Sequence, residues 1–210
     1  MSKIFKVIAR QVFDSRGNPT IEAEVFTKNA SATAICPSGA STGTYEAFEK
    51  RDKNNKKYLG KSVLNAVKLV NTKISKKLKG QIIHNQERID ALLINLDGTR
   101  QKTNLGANAM LAVSMAVKKL SAKVKKLPLY KTFSQQKNFQ LPYPLMNIIN
   151  GGAHADNGLR IQEFMIRPDR AKSFSEAMRI CFLVIKNLSK LIKDKGLSTS
   201  VGDEGGFAPM

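Results

Sequence analysis

Short runs in which apolar and polar residues alternate open the chain, and longer runs with apolar positions every three or four residues follow. Residues 3–12 are rich in Ile, Val and Phe and end at the polar, Gly- and Pro-containing stretch DSRGNP at 14–19, which predicts a strand followed by a turn. From Thr20 to Phe26, Ile21, Ala23 and Val25 alternate with Thr20, Glu22 and Glu24, and the run SATAIC follows Lys28, Asn29 and Ala30. This pair predicts a β-hairpin. After a Gly/Ser-rich loop at 37–46, Val63, Leu64, Val67, Val70, Ile74 and Leu78 recur at helical spacing with Lys on the opposite side, predicting one amphipathic helix closed by Gly80. A shorter helix is predicted over about residues 85–95, ending before Asp97 and Gly98. A third is predicted over 107–124, whose first turns are apolar nearly all round and therefore buried.

The polar, unpatterned stretch KTFSQQKNFQ at 131–140 then interrupts the pattern, and places an α+β domain at 1–130, a linker at 131–140 and a second organisation at 141–210. There LPYPLMNIINGG and LRIQEFMIRP predict two strands before any helix. Ser173 with Glu176 three residues later forms a capping-box signature for a helix carrying Ala177, Ile180, Cys181, Val184, Leu188 and Leu191 and ended by Gly196. STSVGDEGGFAPM begins like a further strand and ends in a Gly-rich loop.

Composition narrows the class. A chain of 210 residues can bury a sizeable core. It has no stretch near the roughly 18 apolar residues a membrane span needs, and its start has no signal-peptide pattern, so a soluble cytoplasmic protein is expected. Cys36 and Cys181 both sit in apolar segments and are expected as buried free thiols. The formal charge of +19, from 35 basic and 16 acidic residues, raises the question of nucleic-acid binding. Lys118, Lys119, Lys123, Lys125 and Lys126, however, fall on the polar side and end of a predicted helix, as a solvated face does. Nucleic acid is therefore not expected as a partner, whereas a positive field helps to capture acidic small substrates.

Three polar clusters sit at predicted strand or loop ends: Ser38, Ser41 and Thr42 in SGASTG; His154 with Gln162 and Glu163; Asp203 with Glu204 in GDEGG. Read singly, each leaves alternatives open. Glu204, flanked by glycines, is free of steric cover, and a second carboxylate such as Glu163 nearby would oppose simultaneous ionisation and favour a protonated acid; a decorated turn explains the same residues. His154 fits neutral-pH proton transfer or anion contact as well as loop packing, and His84, ahead of a helix, reads as structural. SGASTG lacks the Lys-Ser/Thr end of a P-loop, although a hydroxyl in it can contact a hard cation.

Taken in order, DSRGNPT at 14–20, PSGASTG at 37–43, LDGT at 96–99, LGANAMLAVSMA at 105–116, NIINGGAHADN at 147–157, IQEFMI at 161–166 and VGDEGGFAP at 201–209 closely resemble the motifs of the enolase family. The resemblance runs from about Lys3 to Pro209. It implies an α+β amino-terminal domain followed by the beginning of an α/β (TIM-like) barrel, incomplete in this chain, because a barrel takes roughly 250 residues. It implies magnesium-dependent, reversible dehydration of 2-phosphoglycerate to phosphoenolpyruvate, with two Mg²⁺ per active site. By residue, it implies Ser41 as ligand of the second Mg²⁺ with Gly39 and Ala40 contacting substrate beside it, His154 near the substrate phosphate, Glu163 and Glu204 as paired acids with Glu204 the proton donor, and Gln162 as a neighbouring substrate contact. Arg16 and Glu22 match a region that supports homodimer contacts. The family's first-metal carboxylates, base lysine and phosphate-binding arginine find no match in these residues, and Met210 stands where a polar residue is usual. The 210-residue chain is therefore expected to be inactive alone. The rival reading is a noncatalytic enolase remnant acting as a basic RNA- or protein-binding module.

Overall fold

Alternation in the first forty residues builds a single three-stranded sheet in the computed structural model, which describes residues 2–39, 42–134, 136, 138–202 and 204–210. The chain divides into two compact units, Met1–Gln136 and Lys137–Met210. In the first, β1 (Lys6–Phe13), β2 (Pro19–Phe26) and β3 (Ser31–Cys36) pair antiparallel in that order. The DSRGNP turn holds because Asp14 Oδ1 accepts the N–H groups of Arg16 and Asn18, both at 2.9 Å, while Gly17 takes a left-handed φ of 74°. The register sets Ala9 opposite Ala23 and Ala23 opposite Ala34, a row of short side chains across the buried face. The long helix packs there: α4 (Ala107–Val124) lies on β2 and β3 and buries Ala109, Ala112, Val113, Ala116, Val117 and Leu120. Short side chains on both surfaces permit close, dense packing.

The helix expected from Val63 to Leu78 is continuous but not uniform. It runs as α1 (Leu64–Leu69), a π-helical turn at Val70–Ile74, and α2 (Ser75–Leu78). Its buried residues Ala66, Val70, Ile74 and Leu78 are spaced by four. In a straight α-helix of 3.6 residues per turn, positions four apart drift about 40° round the axis at each step, and the wider π turn takes up that drift. Leu64, placed by its spacing on the apolar face, is instead exposed, and Ala66 takes the buried position. The same turn faces polar groups to the free edge of β1. Asn71 accepts the Ala9 N–H at 2.6 Å and donates to its carbonyl at 3.0 Å, and Ser75 Oγ accepts the Val7 N–H, covering an edge that would otherwise be open to pairing.

The next helix, α3 (Gln86–Asp97), extends past its expected end to include Asp97. That carboxylate is buried and closes the LDGT loop by accepting the Thr99 hydroxyl, the Thr99 N–H at 3.0 Å and the Leu105 N–H at 2.7 Å. Burial alone would raise its pKa, but these donors, aided by Lys102, hold it below the usual carboxylate range. A folded pKa below the unfolded one makes this contribution present at neutral pH and lost as pH falls through the carboxylate range. Asp97→Ala should therefore cost about 2 kcal/mol at pH 7, by urea unfolding, with the gap to wild type closing as the pH falls below about 4. His84 is structural as expected, its Nδ1 2.8 Å from Ser121 Oγ.

In the second unit, β4 (Met146–Asn150) and β5 (Glu163–Ile166) pair antiparallel with a bulge between Asn147 and Ile149. Then comes α5 (Phe174–Asp194), whose Ser173 cap accepts the Glu176 N–H at 3.1 Å. The capping box is only half formed, since the Glu176 carboxylate turns to Arg179 at 2.8 and 2.9 Å. Only Ala177, Cys181 and Ile192 of α5 are buried, while Phe174, Met178, Phe182 and Leu191 are exposed, as are Phe164 and Met165 of β5. Beyond Gly196 the expected strand reduces to single bridges of Phe207 with Val201 and with Ile149. Two antiparallel strands and a helix, with no closed barrel among the described residues, are consistent with the expected incomplete barrel. Both cysteines are free; Cys181 is buried, but Cys36 is only half-buried, contrary to expectation. No helix among the described residues is long and apolar enough to cross a membrane.

Candidate active site

The end of β4 leads into the segment that carries the histidine. Gly151 donates to the Gln162 carbonyl at 3.1 Å and Gly152 to the Leu159 carbonyl at 2.8 Å, so residues 151–162 fold back on themselves. A Cβ on Gly151 would meet the Ile161 carbonyl oxygen at 2.5 Å, and Gly152 adopts a φ of 54°; the two glycines make the reversal possible. A short 3₁₀ turn over Gly152–His154 follows and buries His154.

Glu163, the first residue of β5, lies opposite Asn150 in the register. Its Oε1 stands 3.2 Å from His154 Nδ1, within ion-pair distance but off the line of a hydrogen bond; that nitrogen is buried and has no hydrogen-bond partner among the described residues. Glu204 is exposed on a tight loop in which Gly205 donates to the Gly202 carbonyl at 3.0 Å and Gly202 to the Gly206 carbonyl at 2.8 Å. One ligand atom each of His154, Glu163 and Glu204 lies within 4.8 Å of the others. Two carboxylates and an imidazole at that spacing can pass protons to a small substrate or hold a divalent cation.

Of the other residues singled out in the sequence, Gln162 has an exposed side chain, and its backbone carbonyl serves the fold by accepting from Gly151. Gly39 belongs to the first unit, where it lines an open cavity of about 710 Å³ with Ser38, Thr42 and Asn108. Ala40, Ser41 and Asp203 lie outside the described residues. The Ser38 hydroxyl is engaged within the protein: it donates to Glu49 and accepts from Arg51 at 2.7 Å. Arg51 also donates to the carbonyls of Pro19 and Lys61, tying the loop to the sheet. Neither Glu49 nor Arg51 stood out in the sequence, being two charges in a charged stretch. Asn150 was equally silent, although the Asn-Gly-Gly that it begins was a visible turn signal.

Two family models match the chain. Residues 4–133 match the family described as enolase, N-terminal domain, and residues 138–210 match enolase, C-terminal TIM barrel domain. The enolase of Pelagibacter ubique (strain HTCC1062) is 82% identical over 210 residues, covering 100% of this chain and 50% of the relative. The chain thus spans about half the length of the curated relative it matches.

Proposed function

The chain belongs to the enolase family, and from that premise we propose that it supplies the acid side of an Mg²⁺-dependent hydro-lyase, which reversibly dehydrates 2-phosphoglycerate to phosphoenolpyruvate in glycolysis and gluconeogenesis. The observation that supports this reading is the convergence of His154, Glu163 and Glu204. Dehydration removes a proton from C2 and breaks the C3–O bond. Glu204, exposed on its Gly-rich loop, gives its proton to the departing hydroxyl, which leaves as water. Glu163 shares that side of the site, and its carboxylate faces His154, which takes the phosphate end of the substrate. Gln162, beside Glu163, contacts the substrate; by resemblance Gly39, Ala40 and Ser41 are substrate contacts as well, the last two outside the described residues.

Bound Mg²⁺ supplies positive charge against the ionised substrate carboxylate. The His154, Glu163 and Glu204 set includes a nitrogen donor, whereas Mg²⁺ favours oxygen and retained water; these residues are matched to proton transfer beside the metal. Ser41 would hold the second Mg²⁺, and the first would be held by carboxylates not among these 210 residues. The same reading gives a cytoplasmic homodimer joined through the first unit, where Arg16 is exposed on the β1–β2 turn and Glu22 is already held by Arg10 at 3.2 Å.

The test is direct. The purified 210-residue chain should show no dehydration of 2-phosphoglycerate, and a polypeptide that continues through the remaining barrel should show Mg²⁺-dependent formation of phosphoenolpyruvate. Full turnover by the 210-residue chain alone would overturn the assignment of base and metal ligands to other residues. A continued polypeptide without any turnover would overturn the lyase reading.

A further inference from the structure

The segments that carry Glu163 and Glu204 meet at one side chain that is completely buried, Asn150. Its Oδ1 accepts the Gly206 N–H at 2.9 Å in a buried bond. Its Nδ2 donates to the Gln162 carbonyl at 3.3 Å. Its backbone N–H donates to the Phe207 carbonyl at 2.9 Å. Gln162 immediately precedes Glu163, and Gly206 lies two residues beyond Glu204. One primary amide therefore bridges the two carboxylate-bearing segments, donating to one and accepting from the other.

Two glycines of the Glu204 loop, Gly202 and Gly206, are pressed onto this amide. A Cβ on Gly206 would stand 2.8 Å from Asn150 Oδ1, and one on Gly202 would stand 2.7 Å from Asn150 Cβ and 2.6 Å from the His154 carbonyl oxygen. Neither glycine has a left-handed φ, so close approach, and not backbone freedom, accounts for them. The loop is seated on Asn150 and on the histidine segment together.

We propose that Asn150 is a positioning residue that sets the spacing of Glu163 and Glu204 around His154. It rests on the lyase reading above only for its consequence in catalysis. The chemistry of the position is narrow. Asp would keep an acceptor for Gly206 but lose the donor to Gln162 and bury a charge. Gln would push an extra methylene into glycines already in contact, and Leu would fill the space with no hydrogen bond at all. A group that fixes the geometry of reacting residues acts on turnover more than on binding, because a displacement of about 1 Å can cost about 100-fold in rate.

Asn150→Leu and Asn150→Ala, made in the continued polypeptide, should each lower kcat for 2-phosphoglycerate about 100-fold while KM changes less than about threefold. In the 210-residue chain the same variants should lose the nuclear Overhauser contacts between the His154 ring and the side chains of Glu163 and Glu204, yet keep those around Ala177 and Cys181 of α5. Turnover of Asn150→Leu within about threefold of wild type, or site contacts unchanged in both variants, would overturn the proposal. So would loss of the α5 contacts together with the site contacts, which would make Asn150 merely structural. A wild-type continued polypeptide without activity would count against the lyase reading alone; the contacts in the 210-residue chain would still decide the role of Asn150.

Discussion

Glu204→Gln in the continued polypeptide should lower kcat for 2-phosphoglycerate dehydration about 10³-fold and leave KM nearly unchanged. The amide matches the carboxyl in size, and the hydrogen bonds of the loop, from Gly202 to Gly206 and from Gly205 to Gly202, are made by backbone and do not depend on the side chain. The loop should keep its shape and only the transferable proton should be lost. An interaction made in the transition state and absent from the ground state lowers kcat and kcat/KM together, which is the pattern to look for in steady-state rates. Turnover equal to wild type would remove Glu204 from the acid role and shift the assignment to Glu163.

Gly151→Ala should cost the second unit about 3 kcal/mol. The added Cβ would lie 2.5 Å from the Ile161 carbonyl oxygen and 2.7 Å from both the carbonyl oxygen and the Cβ of Leu159. Those atoms are mostly backbone and cannot swing aside as a flexible side chain can. Relief requires opening the hydrogen bonds from Gly151 to Gln162 and from Gly152 to Leu159, and with them the reversal that brings His154 to Glu163. Hydrogen exchange should show faster exchange at Asn150 and Phe207 and no change at Ala9 or Val25 in the first unit. Gly158→Ala is the control: nothing lies within 4 Å of its added methyl, and its effect should stay within about 0.5 kcal/mol. A silent Gly151→Ala would mean that the reversal is not as tightly packed as these distances require.

Much of this architecture was legible in the residues because local patterns and global packing agree. Alternation from Thr20 to Phe26 and in SATAIC marked β2 and β3, and the apolar start of 107–124 marked the buried α4. What the sequence hid depends on partners distant along the chain. The wide turn at Val70–Ile74 follows from a core spacing of four and from β1, to which Asn71 and Ser75 bond; no local signal in VNTKI announces it. Glu176 satisfies the capping-box pattern, yet a nearby arginine competes successfully for its carboxylate. His154, Glu163 and Glu204 were each ambiguous alone, and the ordered motifs gave them their roles. Asn150 escaped notice because its two bonds reach 12 and 56 residues along the chain, whereas Asn before Gly-Gly reads locally as a turn.

The π-helical turn between α1 and α2 carries a consequence for the insertions and deletions this chain can tolerate. Removing one residue from Val70–Ile74 would let the helix close into regular α geometry, which locally is an improvement. An i→i+5 turn completes one revolution with one more residue than an i→i+4 turn, so every position after the deletion would keep its phase about the axis. Leu78, completely buried, would stay in the core, and Ser75 would stay at the edge of β1. The extra residue is thus absorbed within one turn: a gene that loses it keeps the face that holds the helix to the sheet, whereas a deletion from the regular turns on either side would swing that face by about 100°.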